Sequence, residues 1–182
     1  MRVIGLTGKN CAGKDSVAHV LEARAGFERH SLSDVLRDEL RRRGQPVTRE
    51  ALIDLGRELR LAEGPAVLAE RTKGMIRGER VVLVSVRSPA EVASLRELDG
   101  FVLWAVQAPV QVRFVRERDR NRESAVRTLE EFRALEAREN TTDPAAQQLD
   151  ATIALADARI GNAGTLDDLA RLVLARWEAL DG

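Results

Sequence analysis

The chain has 182 residues, 44% of them apolar, and its 29 basic residues balance 29 acidic ones. That is the size of one globular domain with a sizeable core, and a formal net charge of zero supplies no field that would gather nucleic acid or an anionic membrane surface. One cysteine excludes an internal disulfide and a cysteine-based zinc site, and the absence of tyrosine with only 3% aromatics disfavours a base-stacking platform. No apolar run reaches the roughly 18 residues of a membrane span, and the start shows no signal-peptide pattern, so a cytoplasmic location is expected.

The apolar run Val3-Ile4-Gly5-Leu6-Thr7 reads as a buried first strand, and Gly8-Lys9-Asn10-Cys11-Ala12-Gly13-Lys14-Asp15 leads from it into a helix over about 14–25. Glycines five apart let successive N–H groups point inward, and the helix behind adds the positive end of its dipole, so the stretch makes a nest for polyphosphate. The spacing G-x-x-x-x-G-K is the phosphate-binding P-loop, in which Lys14 reaches the outer phosphates. Its candidate contacts are Gly8, Lys9, Asn10, Cys11, Ala12, Gly13, Lys14, Asp15 and Ser16. Of the basic residues 26 are arginine and three are lysine, and two of those three, Lys9 and Lys14, lie in this loop. A compact ammonium fits between phosphate oxygens where a planar guanidinium does not. After the P-loop lysine a Ser or Thr ordinarily ligates magnesium. Here Asp15 stands at that position, a hard oxygen ligand able to hold Mg2+ directly or through water. Cys11 lies near a helix N-terminus and two lysines, surroundings that lower a thiol pKa. The alternative is a small residue filling a tight turn.

Gly26 ends the first helix and 27–32 reads as a short strand. Ser33 and Asp34 are read as the cap of a helix from Val35 to the Arg41-Arg42-Arg43 triplet and Gly44. Thr48 caps a helix carrying Leu52, Ile53, Leu55, Leu59 and Leu61, and another helix is expected over 66–76, closed by Gly78. The run 81–86 has the β-branched content of a central parallel strand and delivers Arg87 to its carboxyl end, where ligands bind in open α/β sheets. Ser88-Pro89-Ala90-Glu91 is a capping box that opens the next helix. Phe101 to Val106 is the fourth strand. Pro109 starts a helix bearing Arg113, Arg116, Arg118, Arg120 and Arg122 among Glu117, Asp119 and Glu123. This is either a salt-bridged, solvated surface or a lid whose arginines close on phosphates. Thr128 to Glu131 is a second capping box, 140–148 is polar and irregular, and 154–162 is read as the fifth strand. Thr165 caps a last helix with Leu166, Leu169, Leu172, Val173 and Trp177 on its apolar stripe. Strands alternate with helices throughout, which predicts a five-stranded parallel sheet covered on both faces. His19 and His30 have no ligand-spaced partner and are read as structural.

Gly13-Lys14-Asp15 resembles the variant P-loop of phage deoxynucleoside monophosphate kinases and animal phosphomevalonate kinases. Over nearly the whole chain the order of features resembles the P-loop nucleotide kinase superfamily, closest to its adenylate-kinase-related and dephospho-coenzyme A kinase-like members. The carriers are Gly8 to Asp15, Ser33-Asp34-Val35-Leu36-Arg37, Gly56 to Gly64 with Arg57 and Arg60, Val86 to Pro89 with Glu91, the arginines of 113–122, and Ala156-Asp157 followed by Asn162 to Leu166. The resemblance implies one domain over 1–182: a core of 1–32, 79–112 and 150–182, an acceptor-binding lobe over 33–78 and a lid over 113–149. It implies ATP and Mg2+ on the P-loop with Asp15 as metal ligand, and Asn162 beside the adenine. Asp34, Arg37, Arg57 and Arg87 would hold a small phosphate-bearing acceptor, and Lys14, Arg87, Arg116, Arg120 and Arg122 would act at the transferred phosphate. Such an enzyme works as a monomer or homodimer. Related kinases often carry an aspartate three residues before the strand-three arginine, and this chain has Val84. A nucleotide-binding regulatory module with little turnover, and a kinase for a non-nucleotide ester such as phosphomevalonate, therefore stay open beside a nucleotide kinase.

Overall fold

The computed structural model describes residues 1–120, 127–143 and 145–181; Arg122 and Glu123 lie outside them. Its elements in chain order are β1 (Arg2–Thr7), α1 (Lys14–Ala25), β2 (Glu28–Ser31), α2 (Leu32–Arg42), α3 (Arg49–Glu63), α4 (Val67–Lys73), β3 (Arg80–Val84), α5 (Pro89–Leu95), β4 (Phe101–Gln107), α6 (Val110–Arg120), α7 (Leu129–Glu139), α8 (Leu149–Ala154), β5 (Ala158–Gly161) and α9 (Leu166–Asp181). The five strands form one sheet in the order β2-β3-β1-β4-β5. All four pairings are parallel, with Val3 opposite Val81 on one side of β1 and Phe101 on the other.

Alternation along the central strands builds two cores. Val3, Val81, Leu83, Phe101 and Leu103 pack with the apolar residues of α2 to α5, while Ile4, Leu6, Val82, Val84, Trp104 and Val106 pack with those of α1 and α9. Strands buried on both faces carry near-continuous apolar runs, which is why they were legible without a period-two pattern. On the α9 side Phe27 meets Trp177 edge-on at 4.8 Å, and the Arg80 guanidinium lies over the Trp177 ring.

The chain leaves β1 next to β3 on one side and next to β4 on the other, so a crevice opens at the carboxyl end of β1. The P-loop sits there. Both capping boxes are formed, Ser88 with Glu91 and Thr128 with Glu131, and Thr48 accepts the Ala51 N–H at the head of α3.

Several boundaries differ from the sequence reading, among them the end of α4, which stops at Lys73 because Gly74 caps it with an N–H bond to the Glu70 carbonyl. The second helix starts at Leu32, so Ser33 and Asp34 lie inside its first turn. Fully buried Leu32 pulls the chain straight from strand into helix, and the Ser31 hydroxyl pairs with that of Ser85 at 3.2 Å. The third strand stops at Val84 because Ser85 takes φ 69°, a left-handed conformation that breaks the ladder. The fifth strand begins at Ala158, since 149–154 is helical, with buried Thr152 bonded back to the Gln148 carbonyl. The Asp157 carboxylate then accepts the Leu103 N–H at 2.7 Å and sets the register of β5.

Candidate functional site

The loop between β1 and α1 holds three residues at positive φ: Gly8 at 141°, Cys11 at 57° and Gly13 at 102°. A Cβ on Gly8 would overlap the Val106 carbonyl oxygen, and one on Gly13 would overlap the Asn162 side-chain amide. Both glycines are therefore demanded by conformation and by space together. No side chain caps α1 at Gly13, which leaves the first-turn N–H groups to a ligand. The Lys14 ammonium donates to the Gly8 carbonyl at 2.7 Å and the Lys9 carbonyl at 3.0 Å, folded over the loop it would share with phosphate. Burial, seconded by the Arg87 charge, lowers its pKa to about 8. An anion seated in the loop would relieve both effects.

Arg87 follows β3 after the left-handed turn at Ser85, and Glu91 holds that turn. The Glu91 carboxylate is fully buried and accepts the Arg87 N–H at 2.7 Å, the Ser88 N–H at 3.2 Å and Arg60 Nη2 at 3.2 Å. Arg87 itself donates from Nη1 to Gln147 at 3.1 Å. Burial holds its pKa below the usual arginine value, and the charges of Arg49, Arg60 and Arg37 push the same way against Glu91. Arg37 of α2 and Arg49 and Arg60 of α3 thus gather about Arg87, whose own charge reaches the P-loop lysine, an arrangement suited to an anionic ligand. Arg49 and Arg60 were not expected among the site residues; only their spatial convergence marks them.

The remaining expected residues divide. Asp34 and Arg37 pair with each other at 2.8 Å, one turn apart on α2. Exposed Arg57 stands 3.9 Å from Asp143. Lys9 turns away from the loop to Asp150 at 3.1 Å. Asp15 is exposed and its carboxylate is paired with Arg29 of β2. Arg120 is exposed and its charge is felt at Cys11.

Arg116 donates to the Asn162 Oδ1 at 3.3 Å, and its buried Nη1, near Gly13, has no hydrogen-bond partner among the described residues. Asn162 is buried, and its amide donates to the Ala12 carbonyl at 2.8 Å. The residue expected beside the adenine therefore has its side chain bonded to the phosphate loop. Arg113 is a lock on that loop: it is buried, donates to the Asn10 and Ala108 carbonyls, pairs with Glu136 and lies over the Phe132 ring.

The expectation of an acidified Cys11 is corrected. Burial and a 3.0 Å hydrogen bond to Glu117 raise its pKa to about 12, and the lysine that was to acidify it from position 9 faces Asp150 instead.

The loop fits the triphosphate of ATP on this geometry, with its glycine-bounded backbone cradle, the Lys14 ammonium folded over it and the buried Arg116 Nη1 near Gly13. For magnesium the candidate oxygens are the Asp15 carboxylate and the Ser16 hydroxyl. Among the described residues no three His, Cys, Asp or Glu side chains gather closely enough to hold a metal ion. Also among the described residues, no helix is long and apolar enough to cross a membrane.

No known protein-family profile matches the chain. A UPF0200 protein of Pyrobaculum aerophilum, a name that states no activity, is 37% identical over 103 residues, 56% of each chain. The chain therefore spans little more than half the length of the curated relatives it matches. Among solved structures, TT1252 from Thermus thermophilus superposes with a TM-score of 0.63 at 23% identity, covering 100% of this chain and 98% of that one. Shikimate kinase from Acinetobacter baumannii, in complex with shikimate, gives 0.60 at 19% identity over 98% and 94%. The chain shares the fold of these structures, a five-stranded parallel sheet flanked by helices. Further shikimate kinases and a gluconokinase share it.

Proposed function

We propose that the chain is an ATP-dependent phosphotransferase whose acceptor is a small molecule already bearing a phosphate, foremost a (deoxy)nucleoside monophosphate or a dephospho-coenzyme A-like ester. One observation carries the reading: the glycine-bounded loop after β1 folds the Lys14 ammonium over its own carbonyls, and Arg87 stands on the turn after the adjacent β3, near enough for its charge to act on that ammonium. A donor-phosphate site and an acceptor-anion site then face each other across the crevice.

In this reading 1–32, 79–112 and 150–182 form the core, 33–78 binds the acceptor and 113–149 covers the donor. Bound ATP with magnesium supplies the transferable phosphoryl group. The backbone N–H groups of Gly8 to Asp15 wrap its phosphates, Lys14 neutralises charge there, and Asp15 with Ser16 offers oxygens to the cation. Arg87, assisted by Arg37 and Arg57, grips the acceptor phosphate as a guanidinium fork, and Arg116 and Arg120 approach the transferred group from α6. Phosphoryl transfer asks chiefly for in-line positioning and charge neutralisation, so this inventory needs no dedicated base.

A regulatory module with little turnover is favoured by two features: the pairing of Asp15 with Arg29, and the buried apolar Val84 where related kinases carry a carboxylate. Magnesium-dependent ADP release separates the readings. The assay covers nucleoside and deoxynucleoside monophosphates, dephospho-coenzyme A and phosphomevalonate, with Lys14→Ala as control. Turnover with one acceptor, lost in the variant, supports the kinase. ATP binding without turnover across the panel supports the module.

A further inference from the structure

The stretch 140–150, expected to be part of a lid, is tied to three separate stations. The Gln148 N–H donates to the Arg87 carbonyl at 3.0 Å, and Gln147 accepts from the Arg87 side chain. Asp143 faces Arg57 of α3. Asp150 faces Lys9 of the P-loop while exchanging two hydrogen bonds with Asn140, at 2.7 and 3.0 Å. Internal bonds stiffen it, with the Thr141 N–H on the Gln147 carbonyl at 3.0 Å and the Gln148 amide on the Thr142 carbonyl at 2.9 Å. Buried Ala145 anchors its middle. Its described residues are thereby fastened to Arg87, to α3 and to the P-loop at once.

We propose that Gln147 is a specificity-determining residue of the acceptor site, presenting its amide N–H groups to the same anion that Arg87 grips. This inference rests on the proposed kinase reading. The carboxamide has two ends. Its Oε1 is engaged by Arg87 Nη1, which fixes the orientation of the group and polarises it, while among the described residues its Nε2 donates to nothing. An anion bound in the Arg87 fork therefore has a neutral donor beside it. A glutamate at this position could hold Arg87 equally well, but it would neutralise the fork and offer the anion only acceptors. Glutamine keeps the arginine oriented and its charge available.

The opposite consequences of Gln147→Glu for stability and for binding supply the test. The P-loop is first saturated with a non-hydrolysable ATP analogue and magnesium, and inorganic phosphate is then titrated calorimetrically into wild type, Gln147→Glu and Gln147→Leu. Thermal melts are recorded without phosphate. The expected result is that Gln147→Glu weakens phosphate binding at least about ten-fold by placing a negative charge beside the site. Its melting temperature stays level or rises through the new Arg87 pair, and analogue affinity is unchanged. Gln147→Leu, which loses one neutral donor, should weaken phosphate about five-fold. If Gln147→Glu melts early, the leucine variant decides alone. Phosphate binding of wild-type strength in the variants overturns the role of Gln147 while leaving the kinase reading intact. Failure of the wild type itself to bind phosphate with the analogue in place overturns this inference and the Arg87 acceptor site together. Failure to bind the analogue overturns the P-loop reading on which both stand.

Discussion

Replacing Lys14 by methionine should change how stability depends on pH. In the folded protein the ammonium is lowered from 10.5 to about 8, first by burial and then by Arg87. The folded state therefore releases this proton before the unfolded chain does. At neutral pH the lysine is charged in both states, and holding the charge in the fold costs about 3 kcal/mol, at 1.36 kcal/mol per pKa unit. Between the two pKa values the unfolded chain binds more protons, so stability rises with pH there. Raising the pH from about 7 to about 9.5 should recover about 2 kcal/mol for the wild type that Lys14→Met cannot recover. Urea unfolding of both proteins at the two pH values measures this. Cys11 is coupled to Lys14, so both proteins carry Cys11→Ala in this comparison. Parallel pH profiles would refute a strained, partly desolvated Lys14. The same proton links to the ligand: ATP affinity should fall as pH rises through about 8, because the phosphates need the ammonium.

Other substitutions test the supports of the site. Gly13→Ala puts a methyl group into the Asn162 amide at φ 102°. It should abolish ATP binding and cost at least about 2 kcal/mol in a denaturant titration. Glu91→Ala strands buried Arg60 and frees the Arg87 turn, for an expected loss of about 3–5 kcal/mol; a loss below about 1 kcal/mol would contradict the hub role assigned to Glu91. Because the thiol pKa stands at about 12, iodoacetamide at mildly alkaline pH should leave Cys11 unmodified in the folded protein, as read by mass spectrometry. If Asp15 offers the magnesium oxygen, Asp15→Ser should shift the magnesium dependence of ATP binding, and an unchanged dependence would remove Asp15 from that role.

What could be read from the sequence follows a physical division. The P-loop, the central strands and both capping boxes depend on spacing within a few residues, and all were legible. Boundaries failed where a distant contact outweighed a local signal. Ser33 and Asp34 look like a helix cap, yet buried Leu32 and the Ser31–Ser85 hydroxyl pair start α2 earlier. The stretch from Ala154 looks like strand until the Asp157 side chain fixes where β5 begins. The candidate site divides in the same way. Lys14 and Arg87 were placed by motif and strand end, whereas Glu117 beside Cys11 and Gln147 beside Arg87 come from positions 106 and 60 residues away. Arg113 looked like its neighbours on α6, and only the packing on Phe132 and Glu136 distinguishes it as a lock.

In the proposed kinase the P-loop and Arg87 are the two halves of one phosphoryl-transfer site. Transfer of label from γ-labelled ATP onto the panel acceptors, in wild type and Arg87→Met, tests it most directly. Label is expected on an acceptor, with transfer reduced at least about a hundred-fold in Arg87→Met while ATP binding is retained, since a guanidinium clamp on a phosphate contributes about 3 kcal/mol or more. Label recovered only as inorganic phosphate, or transfer undiminished by loss of Arg87, would contradict it.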